Sequence, residues 1–113
     1  QIMQVTKKET YTILGDEEDG LKEFASFLNF IVPKAYAKDN LIIDILKYED
    51  VDLPALLNFL KPSNTQRGGG KSFVLVNNHI NPDIVPEEIM VVPTIQEAID
   101  VIELEEIQRD LGF

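Results

Sequence analysis

The chain has 113 residues, of which 44% are hydrophobic and 27% charged, and it carries a net charge of −10 at pH 7. This length suffices for one core of two or three layers, so we expect a single domain over residues 1–113. The sequence has no cysteine, which excludes disulfide frameworks and thiolate metal sites. The negative charge repels phosphate backbones and argues against nucleic-acid binding.

Hydropathy and charge distribution narrow the class of protein further. No apolar run reaches the roughly 18 residues of a membrane span, and the N-terminus lacks the pattern of a secretory signal. We therefore expect a soluble cytoplasmic protein with no membrane partner. Residues 72–113 carry nine carboxylates and one basic residue, whereas residues 1–71 carry eleven carboxylates and nine basic residues. The thin basic patch of Lys61, Arg67 and Lys71 has no interleaved aromatic residue, which predicts solvated loop charges.

The N-terminal third predicts two strands and a helix. Val5 and residues 11–15 (YTILG) have the composition of short strands, with residues 7–9 as the turn between them. After an acidic run at 16–19, apolar residues recur at helical spacing, and Pro33 predicts that this helix kinks or ends near Val32. The apolar face of the predicted helix comprises Leu21, Phe24, Phe27, Leu28 and Ile31.

Residues 40–48 (NLIIDILKY) form the most strand-like run, apolar almost without alternation. This pattern is typical of a central strand that is buried on both faces. Asp52 followed by Pro54 predicts the capped start of a second helix, because the aspartate accepts a free amide and proline suits the first turn. The apolar residues of that predicted helix are Leu56, Leu57, Phe59 and Leu60.

The glycine-rich stretch 65–73 (TQRGGGKSF) resembles a phosphate-binding loop only at Gly70, Lys71 and Ser72. Thr65 stands where the first glycine of that motif belongs, and an apolar strand follows where a helix should begin. We interpret the stretch as a flexible turn from helix to strand.

The C-terminal part completes an alternating pattern. Residues 73–77 (FVLVN) predict a core strand, residues 78–88 one helical turn, and residues 89–93 (IMVVP) a short core strand. Thr94 and Glu97 form a capping box, in which each side chain satisfies a free amide at the start of a long last helix.

The predicted fold is therefore α/β, in the order ββαβαβ(α)βα, with a mostly parallel sheet. Residues 42–60 (IIDILKYEDVDLPALLNFL) have an apolar strand that ends in Asp44, a spacer, Asp52 and an apolar helix. Residues 91–111 (VVPTIQEAIDVIELEEIQRDL) add a Pro-Thr start and a Glu-Glu-x-x-Arg-Asp-Leu end. On these two stretches the chain resembles a STAS domain, the module of sulfate transporters and anti-sigma factor antagonists. The second stretch is similar to small STAS-like proteins from Bacteroidetes.

The resemblance implies a regulatory, non-catalytic domain that binds protein. The sequence also differs from the family's motif at one place. Antagonists of this family carry Asp-Ser-Ser-Gly at the start of the second helix, where a kinase phosphorylates serine. The serine and glycine positions fall here on Leu53, Pro54 and Ala55, so no hydroxyl is available. Since phosphate acts by adding negative charge, we expect the switch to be absent from this site.

Few residues of the chain are of a type that could support an enzymatic function. Similar small proteins carry the label ribonuclease Z, an enzyme whose metal centre needs several histidines, but this chain has only His79. We predict that His79 is a surface loop residue and that there is no metal site, cofactor or catalytic residue. Asp50 and Asp52 are the best carboxylate pair, yet a helix cap and an ordinary turn account for both. Three glutamates of the last helix, at 103, 105 and 106, are predicted to be solvated.

Two surfaces are candidates for binding a protein partner. The first is the start of the second helix, where apolar residues stand among acidic ones. The second is a face of the last helix that rotates away from its sheet-facing stripe, which suggests a partner or a second copy of the chain. The other interpretation of this face is a longer helix that wraps the core. The sheet-facing stripe is Ile95, Ala98, Ile99 and Ile102, and the rotating face is Val101, Leu104, Ile107, Leu111 and Phe113.

The partner-binding residues predicted from these surfaces are Asp50, Val51, Asp52, Leu53, Pro54, Leu104, Ile107 and Leu111. The alternative function is a small-ligand or nucleotide site in the crevice near residues 50–54, because open α/β sheets bind ligands at the carboxyl ends of parallel strands.

Overall fold

A computed structural model describes residues 2–112. It contains five strands and four α-helices, with a single turn of 3₁₀ helix between the last two strands. The strands are β1 (Met3–Lys7), β2 (Thr12–Asp16), β3 (Leu41–Asp44), β4 (Phe73–Val76) and β5 (Met90–Val92). The helices are α1 (Leu21–Ala35), α2 (Leu53–Leu57), α3 (Leu60–Gly68) and α4 (Ile95–Asp110), and the 3₁₀ turn is Pro82–Ile84.

The strands form one sheet in the order β1-β2-β3-β4-β5. β1 pairs antiparallel with β2, and the other three pairings are parallel, which confirms the predicted mostly parallel α/β fold. β3 lies at the centre of the sheet, as its continuous apolar run predicted.

Helices cover both faces of the sheet, because successive strand residues point to opposite sides. Ile43 and Leu75 face α1, α2 and the segment that joins α2 to α3, in a cluster that includes Phe24, Leu56 and Phe59. On the other face, the cluster of α4 with the sheet comprises Ile42, Val74, Val76, Ala98 and Ile102.

The prediction that the third strand spans residues 40–48 is wrong at its C-terminal end. β3 stops at Asp44 because the Asp44 carboxylate accepts the amide of Leu46 at 3.0 Å and turns the chain. Ile45 is still buried, so the apolar pattern reports burial beyond the strand.

The single predicted second helix is two helices, α2 and α3. Asn58 and Phe59 separate them, and Pro62 lies in the first turn of α3, where the missing amide of proline costs no helical hydrogen bond. α3 continues to Gly68, so the predicted loop 65–73 is shorter than expected. Gly70, with φ of +80°, makes the turn into β4.

The two other helix predictions have mixed outcomes. α1 contains Pro33 but continues to Ala35, three residues beyond the predicted end at Val32. The Thr94 cap of α4 is confirmed, since its hydroxyl oxygen accepts the Glu97 amide at 3.1 Å. The Glu97 carboxylate, however, accepts the Thr94 hydroxyl at 2.9 Å rather than a backbone amide.

Candidate functional site

The entry to α2 lies at the end of the sheet where the parallel strands finish. The Asp52 carboxylate accepts the amide of Ala55 at 3.0 Å, which confirms the predicted cap. Pro54 occupies the first turn, and its side chain is exposed.

The capped turn presents apolar side chains to solvent. Leu53 is 40% exposed and Leu57 is 45% exposed. Residues four positions apart lie on one face of a helix, so these two leucines form a continuous pair, named here the α2 leucine pair. Leu53 was among the predicted partner-binding residues, whereas Leu57 was named only as an apolar residue of the predicted helix.

Val51 does not belong to this exposed surface. Its side chain is only 8% exposed and packs in the cluster beneath α1 and α2. Leu53, the first residue of α2, is exposed instead, so the boundary between core and surface falls between these two residues. Val51 therefore anchors the loop from inside.

The loop that leads into α2 is held by a buried amide. The Asn77 side chain donates to the carbonyls of Ile45 and Tyr48, both at 2.8 Å, and accepts the amides of His79 and Ile80 at 2.8 and 3.1 Å. All four hydrogen-bonding positions of this amide are used. Asn77 was predicted only as the end of a strand, and its hydrogen bonds to the loop before α2 were not predicted.

Exposed acidic side chains lie at the same end of the sheet as the leucine pair. Glu49, Asp50 and Asp52 are exposed on the loop before α2. Glu17 and Glu18 follow β2 at the same end of the sheet and are exposed too. An apolar centre with a charged rim is the anatomy of a protein-binding surface.

Tyr48 links the loop to the end of β2. Its hydroxyl donates to the buried Asp16 carboxylate at 2.5 Å. Burial raises the pKa of the Tyr48 hydroxyl, and the hydrogen bond to Asp16 raises it further. Tyr48 is therefore a neutral donor in a structural contact throughout the neutral range.

A crevice of about 360 Å³ is present at the predicted alternative site. Its lining includes Glu49, Asp50, Asp52 and His79. Three carboxylates against one imidazole make the crevice unfavourable for nucleotide phosphates, which carry the same charge sign. His79 is exposed, as predicted.

The second predicted surface, on α4, is exposed along its C-terminal half. Leu104, Ile107 and Leu111 are 56%, 55% and 67% exposed. Val101 is half-buried against the cluster of α4 with the sheet, so it does not belong to the exposed face. Phe113 lies outside the described residues.

The prediction that the α4 glutamates are all solvated is wrong for two of them. Glu105 accepts the buried Ser72 hydroxyl at 2.6 Å, and Glu106 accepts the Asn40 side-chain amide at 2.5 Å. The bond from Asn40 lowers the pKa of the Glu106 carboxyl, and nearby Arg109 acts in the same direction. These residues fasten the end of α4 to the sheet, while Glu103 is exposed as predicted.

The cap at Asp52 gives a direct test of the local structure. Asp52→Ala is expected to lower the free energy of unfolding by about 1 kcal/mol, because the Ala55 amide loses its acceptor. Urea denaturation followed by circular dichroism measures this change. Asp50→Ala, at a neighbouring exposed carboxylate, should change stability by less than about 0.5 kcal/mol. Equal effects of the two substitutions would show that Asp52 does not cap α2.

Within residues 2–112, no group of three or more histidine, cysteine, aspartate or glutamate side chains is arranged to hold a metal ion. Over the same residues, no helix combines the length and apolar character that crossing a membrane requires.

No protein-family model matches the sequence, and no curated protein matches it. Among solved structures, the chain is similar to RsbS from Moorella thermoacetica, a STAS-domain protein, in a variant with a serine-to-glutamate substitution. The TM-score is 0.65 at 21% sequence identity, over 96% of this chain and 99% of the other. The predicted STAS-like fold is confirmed.

Proposed function

We propose that this STAS-like domain is a non-catalytic regulatory module that works by binding a protein partner. The observation that carries the proposal is the α2 leucine pair, which is exposed at the entry to α2 and follows a loop with exposed carboxylates. The fold of RsbS over nearly the whole chain supports a module of this kind.

The energetics suit a reversible interface. Leu53 and Leu57 are each close to half exposed, so a partner that covers both gains roughly 1 kcal/mol per side chain from apolar burial. The rigid cap keeps the side chains in place and reduces the entropy lost on binding. The carboxylate rim contributes orientation and association rate more than affinity.

The charge of the rim specifies the partner's chemistry. The chain carries a net charge of −10, and exposed carboxylates follow both β2 and β3 near the leucine pair. A complementary partner presents an apolar pocket with lysine or arginine around it. Its association rate should fall as salt screens these charges.

Control by phosphate is absent from this surface in our proposal. Leu53, Pro54 and Ala55 carry no hydroxyl. Ser63 and Ser72 have no exposed surface, so neither replaces the missing serine without local unfolding. The domain is then a constitutive binder whose occupancy depends on partner concentration.

The exposed face of α4 is the second contact surface in this proposal. Leu104, Ile107 and Leu111 form an apolar stripe, but Glu103 and Asp110 are exposed beside it. Two copies that met through this stripe would bring like charges together, so a different protein suits it better than self-association.

A small-ligand site in the crevice near residues 50–54 is the alternative function. The crevice is large enough for a small molecule, which favours the idea. Its carboxylate lining limits the ligand to a cationic or neutral molecule. We propose no cofactor and no catalytic residue, and the cytoplasmic location stays a prediction.

Photo-crosslinking in the source cell tests the proposal. A photoreactive benzoylphenylalanine at position 57 is expected to capture a discrete protein, because this position lies at the centre of the proposed surface. The matched control carries the same group at position 30, where Phe30 is 59% exposed on α1. Capture from position 30 alone, or from neither position, would contradict the proposed surface.

A further inference from the structure

The opposite end of the sheet, where the parallel strands begin, collects lysine side chains. Lys7 ends β1, Lys8 follows it, Lys38 precedes β3 and Lys71 precedes β4. The antiparallel β1 ends where the parallel strands start, so the topology brings lysines from three separate segments together. These are four of the ten basic residues in the chain.

All four lysines line one cavity of about 360 Å³. Its lining also includes the carboxylates of Glu9, Asp39 and Glu106, and the polar residues Thr10, Thr12 and Asn40. This volume is within the usual range for small-molecule sites. We name this feature the lysine cavity.

Most of the negative charge in the lysine cavity is already paired. Lys7 pairs with Asp39 at 3.8 Å, and Arg109 pairs with Glu106 at 3.6 Å. Among residues 2–112, Lys8, Lys38 and Lys71 form no ion pair within 4.0 Å. The lining as a whole carries four lysines against three carboxylates, and Arg109 adds a further positive charge beside Glu106.

This local excess of positive charge is unexpected in a molecule with a net charge of −10. The exposed carboxylates before α1 and α2 lie at the other end of the sheet, so the four lysines of the cavity are remote from them. Within residues 2–112, Lys38 has no ion pair and Lys71 acts on the Glu106 carboxylate only through space. A bound anion would offset the positive charge that the cavity leaves uncompensated.

We propose that the lysine cavity binds a small soluble anion that carries phosphate groups. Its ammonium groups come from separate segments, which matches an anion with charge on several oxygens. Lysine binds phosphate as a point charge, whereas planar carboxylates favour the fork of arginine, and no arginine lines the cavity. The glycine turn contributes only Lys71, from a loop that leads into a strand, so this site is unlike a phosphate-binding loop at a helix.

Calorimetric titration with pyrophosphate at low salt is the test. We expect one binding event per chain, weakened at least tenfold in Lys38→Ala/Lys71→Ala. Neither side chain makes an ion pair within residues 2–112, so the variant should melt at the temperature of the unmodified protein. The control is Lys22→Ala/Lys61→Ala, which removes two exposed lysines outside the cavity and should leave binding unchanged.

Three results would overturn the proposal. The first is no binding of pyrophosphate to the unmodified protein, and the second is equal weakening in the control variant. The third is equal affinity for citrate, which would show that charge alone is selected. Sedimentation with vesicles that contain a phosphatidylinositol phosphate distinguishes a soluble phosphate ligand from a lipid headgroup. The protein should remain in the supernatant, and sedimentation with the vesicles would contradict a soluble ligand.

Discussion

Replacing Asn77 with alanine is expected to lower the free energy of unfolding by about 3 kcal/mol. The substitution removes four hydrogen bonds at a side chain that is 3% exposed. The Tyr48 carbonyl and the amides of His79 and Ile80 lose their partners. Water reaches them only if the loop before α2 separates from the loop after β4. The same change should loosen the loop before α2, so partner binding should weaken with stability.

Urea denaturation at pH 7, followed by circular dichroism, measures this effect. Asn78→Ala is the matched control, because Asn78 is the adjacent residue and is exposed. It should change stability by less than about 0.5 kcal/mol. If Asn77→Ala lowers the free energy of unfolding by less than about 1 kcal/mol, the Asn77 side chain does not hold the loop before α2 to the loop after β4.

The fold was largely predictable because its strongest signals are local. The apolar run at the centre of the chain identified the central strand, and the residues Asp52 and Thr94 identified the starts of two helices. Hydrophobic periodicity predicted the ends of the strands and helices less accurately. Asp44 ends β3 through a side-chain bond that no hydropathy pattern reports.

The polar contacts between distant segments were not predictable. Asn40, Gln66 and Asn77 are buried amides, and their long-range hydrogen bonds reach partners 27 to 69 residues away along the chain. A single sequence shows an asparagine at a strand end but not the carbonyls that it will meet. The hydrogen bonds of Glu105 and Glu106 were missed for the same reason, since their partners belong to other segments.

The proposed binding surface was predictable in part. The cap at Asp52 placed Leu53 in the first, exposed turn of the helix, and the structure agrees. Leu57 was named only as an apolar residue of the predicted helix, and its place beside Leu53 was not predicted. It lies four residues further along α2 and is exposed on the same face.

Leu53→Asp combined with Leu57→Asp is expected to weaken partner binding at least about 100-fold, which corresponds to about 2.7 kcal/mol. The substitutions remove the apolar centre of the proposed surface and place two buried, unpaired charges in the interface. Folding should change little, because both side chains already contact solvent. Unfolding of the variant would instead show that these leucines belong to the core, and the α4 stripe would become the better candidate.

Two further variants separate the surfaces. Phe30→Asp places a charge on an exposed aromatic residue of α1, outside both proposed surfaces, and should leave binding unchanged. Leu104→Asp combined with Ile107→Asp alters only the α4 stripe. Its effect measures the contribution of the second contact surface independently of the first.

The dissociation constant of the protein captured from position 57 tests the account most directly. Calorimetry with the purified partner should give at least about 100-fold weaker binding for the Leu53→Asp/Leu57→Asp variant and unchanged binding for Phe30→Asp. Circular dichroism must show that both variants are folded. Equal affinity of the folded double variant and the unmodified protein would contradict the proposal that this domain binds its partner through the start of α2.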